Sequence, residues 1–554
     1  MGLQHSVWHD EKLLFTPCAP AHNAIPIVYA FPNTYTVGIT SLGYQHIWAN
    51  LASRPEVNVS RWFTDIHEPL PRDVELLGFS FSWELDYGNL LHALEVLDIP
   101  WHSGDRTSDH PLVFGGGAVL TANPEPFADW FDFILLGDGE DLLGNVLCAY
   151  QTVRYAPRHE KLLALAQVSG VYVPSLFCVT YADATGNIQS ITPVSAEVPA
   201  TVQKQTYKGN VLSHSSVVTP HAAWSDIFMV EVVRSCPEMC RFCLASYLTL
   251  PFRPADLEAG LMPAIRQGLT VTNRLGLLGA SITQHPEFES LLDWLDQPAF
   301  DSVRLSLASV RTNTLTQRLC SILARHDSRS VTVAVESGSE RLRQIINKKL
   351  SNAEIYQAIA NAQAGGLQGI KFYGMVGVPY ETDADLADTV EMLRTAKKTA
   401  PKLKIAFGCS TFVPKAHTPW QWQGVSPSAE KKLQLLQKQL GKLGIEFRPE
   451  NYRDSVVQAL ISRGDRRLNA VLTLAYNYAQ AEGKTEPSLG MFKRAFKELA
   501  QTVPPLDWYV FRTWDTTEVL PWAHLRTALS PELLQKHHQI AFSYSDSVPL
   551  PPAV

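Results

Sequence analysis

The stretch "RSCPEMCRFCLASY", residues 234–247, carries Cys236, Cys240 and Cys243 in a chain of only eight cysteines. The spacing is Cys-x3-Cys-x2-Cys, close enough for three thiolates to share one metal centre. A closed zinc site wants four ligands, and no further Cys or His follows nearby. A thioredoxin-like pair would use Cys240 and Cys243 and leave the third thiol unexplained. Three thiolates on a cubane iron–sulfur cluster leave one iron without a protein ligand, where a substrate or cofactor can bind directly.

The elements around this loop set its position. "IFMVEVVR" reads as a buried strand running straight into it. Five more strands follow at strand-loop-helix spacing: "RLGLLGA", "SVRLSLAS", "SVTVAVES", "GIKFYGMVG" and "KIAFGCSTFV". Ser351 and Glu354 form a capping box before an amphipathic helix that Gly365 ends. The unit spans 226–425 and predicts a partial (β/α)6 barrel, whose active-site residues sit in the loops after the strands.

Residues 25–150 alternate buried strands ("AIPIVYAFP", "VELLGFSFSW", "PLVFGGGAV", "FDFILLGDG") with helices ("LGYQHIWANLAS", "YGNLLHALEVLDI"). That pattern predicts an α/β, doubly wound, Rossmann-like domain. Its ligand crevice would fall at the strand ends near Gly115–Gly117 and Gly137–Gly139, although these glycines also suit plain turns. Residues 1–24 precede it as an extension. Residues 151–225 read as a linker with short strands and a turn at "ATGN". From 426 to 554 the sequence is mainly helical and aromatic-rich, and "VPLPPAV" reads as a frayed end.

The barrel motifs resemble the radical S-adenosylmethionine (SAM) superfamily. The resemblance rests on the cysteine spacing with Phe242 before the third cysteine, "LLGASITQHPE", "VRLSLASVR", "VAVESGSERLRQIINKKL" and "GIKFYGMVGVPYET". It implies a 4Fe–4S cluster on Cys236, Cys240 and Cys243. The open iron of that cluster chelates SAM, and one electron cleaves SAM to methionine and a 5′-deoxyadenosyl radical. Gly279, Ala280 and Ser281 would offer backbone groups to the methionine amine. Ser306 would meet the ribose or methionine end, and Glu336 would accept bonds from the ribose hydroxyls. Lys348, or equally Lys349, would pair the methionine carboxylate. Val376 and Gly377 would flank the adenine. A low-potential electron donor such as ferredoxin or flavodoxin is implied as partner.

The likeness extends over residues 25–525, to a bacterial group of uncharacterised radical SAM proteins with a cobalamin-binding-like N-terminal domain. Whether cobalamin binds is left open. The base-off signature Asp-x-His-x-x-Gly is missing, and Asp65 and His67 in "DIHEPL" match it only by chance. If cobalamin is present, methyl transfer joins hydrogen abstraction as an expected reaction; the substrate is unknown. A tRNA methylthiotransferase is the rival enzyme, but it needs three more clustered cysteines. An iron–sulfur sensor or assembly factor is the non-enzymatic rival, and it has no use for the Glu336 and Gly377 neighbourhoods.

Lys415 and His417, after the sixth strand, are candidates to face the substrate. The arginines of "RGDRRL" (463–468) either clamp an anion or pair with acidic neighbours. Cys18, Cys148, Cys178, Cys320 and Cys409 are expected to pack as small apolar residues. A net charge of −7 disfavours nucleic acid and anionic membranes, and 45% hydrophobic with 18% charged residues excludes disorder. No apolar run is long enough to span a bilayer and no secretion signal is present, so a cytoplasmic location is expected. The start "MGLQHS" fits a myristoylation pattern that many unrelated termini share.

Overall fold

The computed structural model describes residues 7–544; the "MGLQHS" start and the "VPLPPAV" end lie outside the described residues. The N-terminal sheet places Val57–Trp62, Ile25–Ala30, Leu76–Ser80, Leu112–Gly116 and Phe133–Leu135 side by side, all parallel. Val171–Tyr172 closes it antiparallel. In chain order the parallel strands run 2-1-3-4-5, the doubly wound arrangement with its switch point between Ile25–Ala30 and Leu76–Ser80. Leu76–Ser80 is buried along its whole length, as a central parallel strand covered on both faces must be. The linker forms an antiparallel hairpin, Phe177–Tyr181 against Ile188–Pro193.

Two glycines at the crevice answer the question their sequence left open. Gly117 has φ 120°, and a Cβ there would lie 2.4 Å from the Phe81 carbonyl oxygen. Gly137 has φ 106°, with the Gln205 carbonyl oxygen 2.0 Å from the same hypothetical atom. Close backbone crossings demand glycine at both positions.

All six expected barrel strands form: Ile227–Arg234, Arg274–Gly279, Arg304–Leu307, Ser330–Glu336, Gly369–Val376 and Lys404–Thr411. They are parallel and ordered by sequence, with a single bridge, Val310 to Val333, joining the third to the fourth. Both bonds of the Ser351–Glu354 capping box are present at helix Asn352–Ala364. A seventh parallel strand, Glu446–Pro449, pairs with Lys404–Thr411. The sequence reading assigned that stretch to the helical C-terminal region, because "EFRP" is too short and polar to signal a strand. Arg253–Pro254 adds an antiparallel edge beside the first strand.

One apolar core lies between the barrel strands and their outer helices. A second joins the N-terminal sheet to the C-terminal helices, among them Tyr452–Arg463 and Leu468–Ala481. The first and last parts of the chain therefore fold against each other, with the barrel between them in sequence.

Candidate active site

Cys236, Cys240 and Cys243 follow the first barrel strand on a loop held by its neighbours. Cys240 is buried, Cys236 and Cys243 are half-buried, and all three thiols are free. The loop turns through positive φ at Ser235 (71°) and Met239 (54°), conformations costing about 1–3 kcal/mol each. Bracing bonds offset that cost. Asn347 donates its amide to the carbonyls of Glu238 (3.0 Å) and Met239 (2.8 Å). Arg241 donates to the carbonyls of Gln344 (3.1 Å), Ile345 (2.6 Å) and His537 (3.0 Å), and Tyr247 to that of Met239 (3.1 Å).

The donor set fits a cubane better than a single ion. Burial raises the pKa values of the Cys240 and Cys243 thiols, and the neighbouring Cys236 and Glu336 raise both further. Yet among the described residues no three His, Cys, Asp or Glu side chains converge closely enough for one metal ion. A cubane spreads its three thiolates over three irons, which suits thiols that do not converge on a single point. Burial pushes the Cys240 thiol up to about 12. Such a thiol stays protonated at neutral pH until a metal takes it as thiolate. The buried Ser235 hydroxyl beside this loop has no hydrogen-bond partner.

The fourth strand brings two expected residues together. Glu336 ends it with φ 65° after a register shift opposite Gly374. Its carboxylate meets the Lys348 ammonium at 3.2 Å, both side chains being 10% exposed. Burial works against the Lys348 charge, but Glu336 and then the Cys240 thiol outweigh it and hold its pKa above the ordinary value. Lys349 is 62% exposed and reaches Glu238 instead, at 3.7 Å. Arg343, fully buried, ties the Lys348 loop to Ser337 and Leu350 carbonyls. Phe242 packs against the small core of Leu342, Ile345 and Ile346.

Gly279 ends the second strand with φ 149°, where a Cβ would lie 2.7 Å from the Val233 carbonyl oxygen. Ala280 is exposed, and the buried Ser281 hydroxyl is bonded to Gln284. Ser306 lies on the inner barrel face and is exposed. Val376 is fully buried in the outer core, so its side chain packs under the helices and only its backbone is available to a ligand. The Gly377 N–H is bonded to Glu381 (2.7 Å), and its positive φ of 73° suits glycine.

Other sequence expectations need correcting. Lys415 is not free: it pairs with Glu84 and bonds Ser462 (2.9 Å), joining the barrel to the N-terminal domain and a C-terminal helix. His417 is buried, with its pKa pulled down to about 3 by that burial, so it is no proton donor at neutral pH. Of the two readings of "RGDRRL", pairing with acidic neighbours is the one formed, by Arg466 and Arg467, and all three arginines are engaged. Arg463 bonds the Tyr509 and Arg512 carbonyls, Arg466 pairs with Glu125 (3.1 Å), and Arg467 with Asp465 (2.6 Å). Cys320 and Cys409 are buried as expected, but Cys18, Cys148 and Cys178 are exposed. Cys148 and Cys178 stand among apolar neighbours, in "NVLCAY" and "SLFCVTY", so local composition gave no warning.

A crevice of about 310 Å³ opens at the N-terminal switch point. Gly116, Gly117, Gly137 and Gly139 line it, with Tyr29 and Phe114 as apolar wall. Arg234, two residues before Cys236, forms its barrel side and pairs with Glu140 (2.7 Å) and Asp138 (3.3 Å). Burial disfavours the Asp138 charge, but Arg234 and Arg253 outweigh it and hold its pKa below the usual carboxylate range. His46 also lines the crevice, its pKa lowered by burial. His67 does not line it; its ring contacts the Glu68 carbonyl, and Asp65 accepts from the Tyr35 N–H. Sequence reasoning missed Arg241, Asn347, Arg234 and His46. Only Asn347 carried a signal, an Asn just past a helical run with φ 58°.

Residues 230–393 match a family profile described as the radical SAM superfamily, and 43–174 one described as radical SAM proteins, N-terminal. An uncharacterised protein of Methanocaldococcus jannaschii is 27% identical over 81% of this chain and 91% of its own length. A tRNA-2-methylthio-N(6)-dimethylallyladenosine synthase of Sorangium cellulosum is 28% identical over 33% of this chain and 41% of its own. Among solved structures, the fold is similar to TsrM from Kitasatospora setae, a radical SAM methyltransferase with cobalamin and a 4Fe–4S cluster bound. The TM-score is 0.50 at 11% identity, covering 72% of this chain and 77% of that one. The chain belongs to the radical SAM superfamily, whose cofactors are a 4Fe–4S cluster and SAM. No helix among the described residues is long and apolar enough to cross a membrane.

Proposed function

We propose that this protein is a cobalamin-using radical SAM enzyme whose reaction is methyl transfer, with Cys236, Cys240 and Cys243 as the cluster ligands. When bound, the reduced cluster supplies the electron that cleaves SAM to methionine and a 5′-deoxyadenosyl radical. A low-potential donor of the ferredoxin or flavodoxin kind delivers that electron.

The chain's own residues bind and orient SAM. Lys348 presents a buried ammonium to the methionine carboxylate. An arriving carboxylate takes the place of Glu336 on Lys348, and Glu336 is released to accept two hydroxyl bonds from the ribose. The Gly279–Ser281 backbone faces the methionine amine, and Ser306 offers a hydroxyl from the inner face. Phe242 excludes water beside the third thiolate. Backbone atoms at Val376 and Gly377 flank the adenine.

The observation that carries the methyl-transfer reading is the position of Arg234. It walls the glycine-lined crevice and runs two residues later into the cluster loop. A ligand tail seated against Gly116, Gly117, Gly137 and Gly139 would therefore bring its other end to the SAM site. With no Asp-x-His-x-x-Gly loop, cobalamin would bind without a lower histidine. The methylthiotransferase reading is weaker, since Cys18, Cys148 and Cys178 stand on separate elements and are not arranged for a second cluster.

The test is titration of anaerobic, cluster-loaded protein with hydroxocobalamin, followed by electron paramagnetic resonance of the reduced form. Binding without nitrogen coupling on cobalt is expected, unchanged in His67→Ala. No binding at high micromolar cobalamin would sink the methyl-transfer reading. Nitrogen coupling lost in His46→Ala would replace the histidine-free mode with ligation by His46.

A further inference from the structure

The inner face of the barrel is built unlike a filled one. Closed (β/α)8 barrels pack their interior with layers of bulky branched side chains. Here the outward positions carry the bulk: Ile370, Phe372, Ile405 and Phe407 all lie in the core beneath the helices. Alternation puts Gly276, Ser306, Ala334, Ala406 and Gly408 on the inner face of their strands, beside the larger Met229, Glu231 and Met375. The face is partly open to solvent, with Ser306 and Tyr373 exposed on it.

Two large polar side chains stand in it. Lys371 and Tyr373 alternate with Ile370 and Phe372 on the fifth strand. The Lys371 ammonium donates to the Tyr373 hydroxyl at 3.1 Å and lies 4.6 Å from its ring centre. Tyr373 is 40% exposed, unusual for a tyrosine in the middle of a central strand. Opposite it, Gly408 keeps the space clear: a Cβ there would approach Tyr373 to 3.2 Å and the Lys371 Cε to 3.7 Å. Two neighbouring ion pairs are formed on this face, while among the described residues Lys404 at the start of the next strand has none. Arg448 pairs with Glu446 (2.6 Å) and Glu231 with Arg234 (2.7 Å). Among the described residues no carboxylate lies within ion-pair distance of Lys371.

A half-buried ammonium held in a concave face without a counter-charge has an incomplete environment, and an arriving anion completes it. We propose that Lys371 and Tyr373 read the substrate: it carries an anionic oxygen group, carboxylate or phosphate, that Lys371 pairs, beside an apolar or planar portion covered by the Tyr373 ring. Glu336 is level with Gly374, three residues up the strand from Lys371. The span is roughly 10 Å at the usual strand rise. The substrate anchors its anion low in the barrel and extends up the inner face to the SAM level. This inference rests on the SAM-binding reading above.

The test labels the lysines of anaerobic, cluster-loaded wild-type protein with trace acetic anhydride and measures each rate by mass spectrometry. The probes are inorganic phosphate and acetate, with chloride at equal ionic strength as control. Lys371 labelling is expected to slow at least about tenfold under one of the two probes, while Lys398 on the outer helix face is unaffected. Protection by phosphate alone identifies a phosphorylated substrate, and by acetate alone a carboxylate. Equal effects at Lys371 and Lys398, or none at Lys371, overturn the proposal. In calorimetry, binding of the protecting anion is expected to vanish in Lys371→Gln, with iron content and melting temperature showing that variant folded; undiminished binding refutes it. The same wild-type sample is assayed for 5′-deoxyadenosine. SAM cleavage without Lys371 protection refutes this inference alone, whereas protection without cleavage refutes the reading beneath it.

Discussion

Lowering the pH from 7 to 5 should cost this protein several kcal/mol of stability, through two buried histidines. His417 and His524 are 5% and 3% exposed, and burial lowers their pKa values to about 3 and about 4. Unfolded, each titrates near 6.5. Below that value the unfolded chain takes up protons that the folded chain refuses, so stability falls with pH until the folded values are reached. Between pH 7 and 5 the loss is about 2 kcal/mol per histidine, ~4 kcal/mol together. Asp86 acts oppositely: burial raises its pKa to about 6, and its protonation on acidification returns about 1 kcal/mol. His46 and His538, both lowered by burial, add to the loss. Against a typical 5–15 kcal/mol this is a large fraction. Urea unfolding at pH 7, 6 and 5 measures it, and His417→Gln with His524→Gln should flatten the dependence by roughly 3–4 kcal/mol. An equal slope in the double variant would refute the reasoning.

Two further outcomes follow from the site. Cys236→Ala, Cys240→Ala and Cys243→Ala should each abolish the 4Fe–4S cluster on anaerobic reconstitution, whereas the same change at the exposed Cys18, Cys148 or Cys178 should leave iron content intact; iron and sulfide analysis decides. Glu336→Gln should keep the cluster but weaken SAM binding about tenfold, ~1.4 kcal/mol, by removing a charged acceptor for the ribose; equal affinity by equilibrium dialysis would show that Glu336 makes no ribose contact.

The strands were legible because their apolar runs are long and bounded by turn residues, from "IFMVEVVR" to "KIAFGCSTFV". Cys-x3-Cys-x2-Cys was legible because the ligands are local in sequence. The Glu336–Lys348 pair was half legible: both residues stood out, but nothing local said they would meet each other. What stayed hidden is long-range. Glu446–Pro449 becomes a strand only because Lys404–Thr411 offers it an edge. Lys415, placed at a strand end where substrates bind, is taken by Glu84, 331 residues away. "RGDRRL" left an anion clamp and pairing with acidic neighbours both open, and local sequence could not say that Arg466 meets Glu125 across the seam between the N-terminal sheet and the C-terminal helices. That seam is a tertiary fact with no periodicity to announce it. The inward turn of Lys371 and Tyr373 follows from strand alternation, but the empty space facing them depends on Gly408 in the next strand.

The most direct measurement is electron paramagnetic resonance of the reduced, cluster-loaded protein before and after adding SAM. Three cysteine ligands leave one iron for SAM, so the spectrum of the one-electron-reduced 4Fe–4S cluster should change on addition, and 5′-deoxyadenosine should accumulate on warming. A fully loaded cluster whose spectrum is indifferent to SAM, with no 5′-deoxyadenosine formed, would contradict the account.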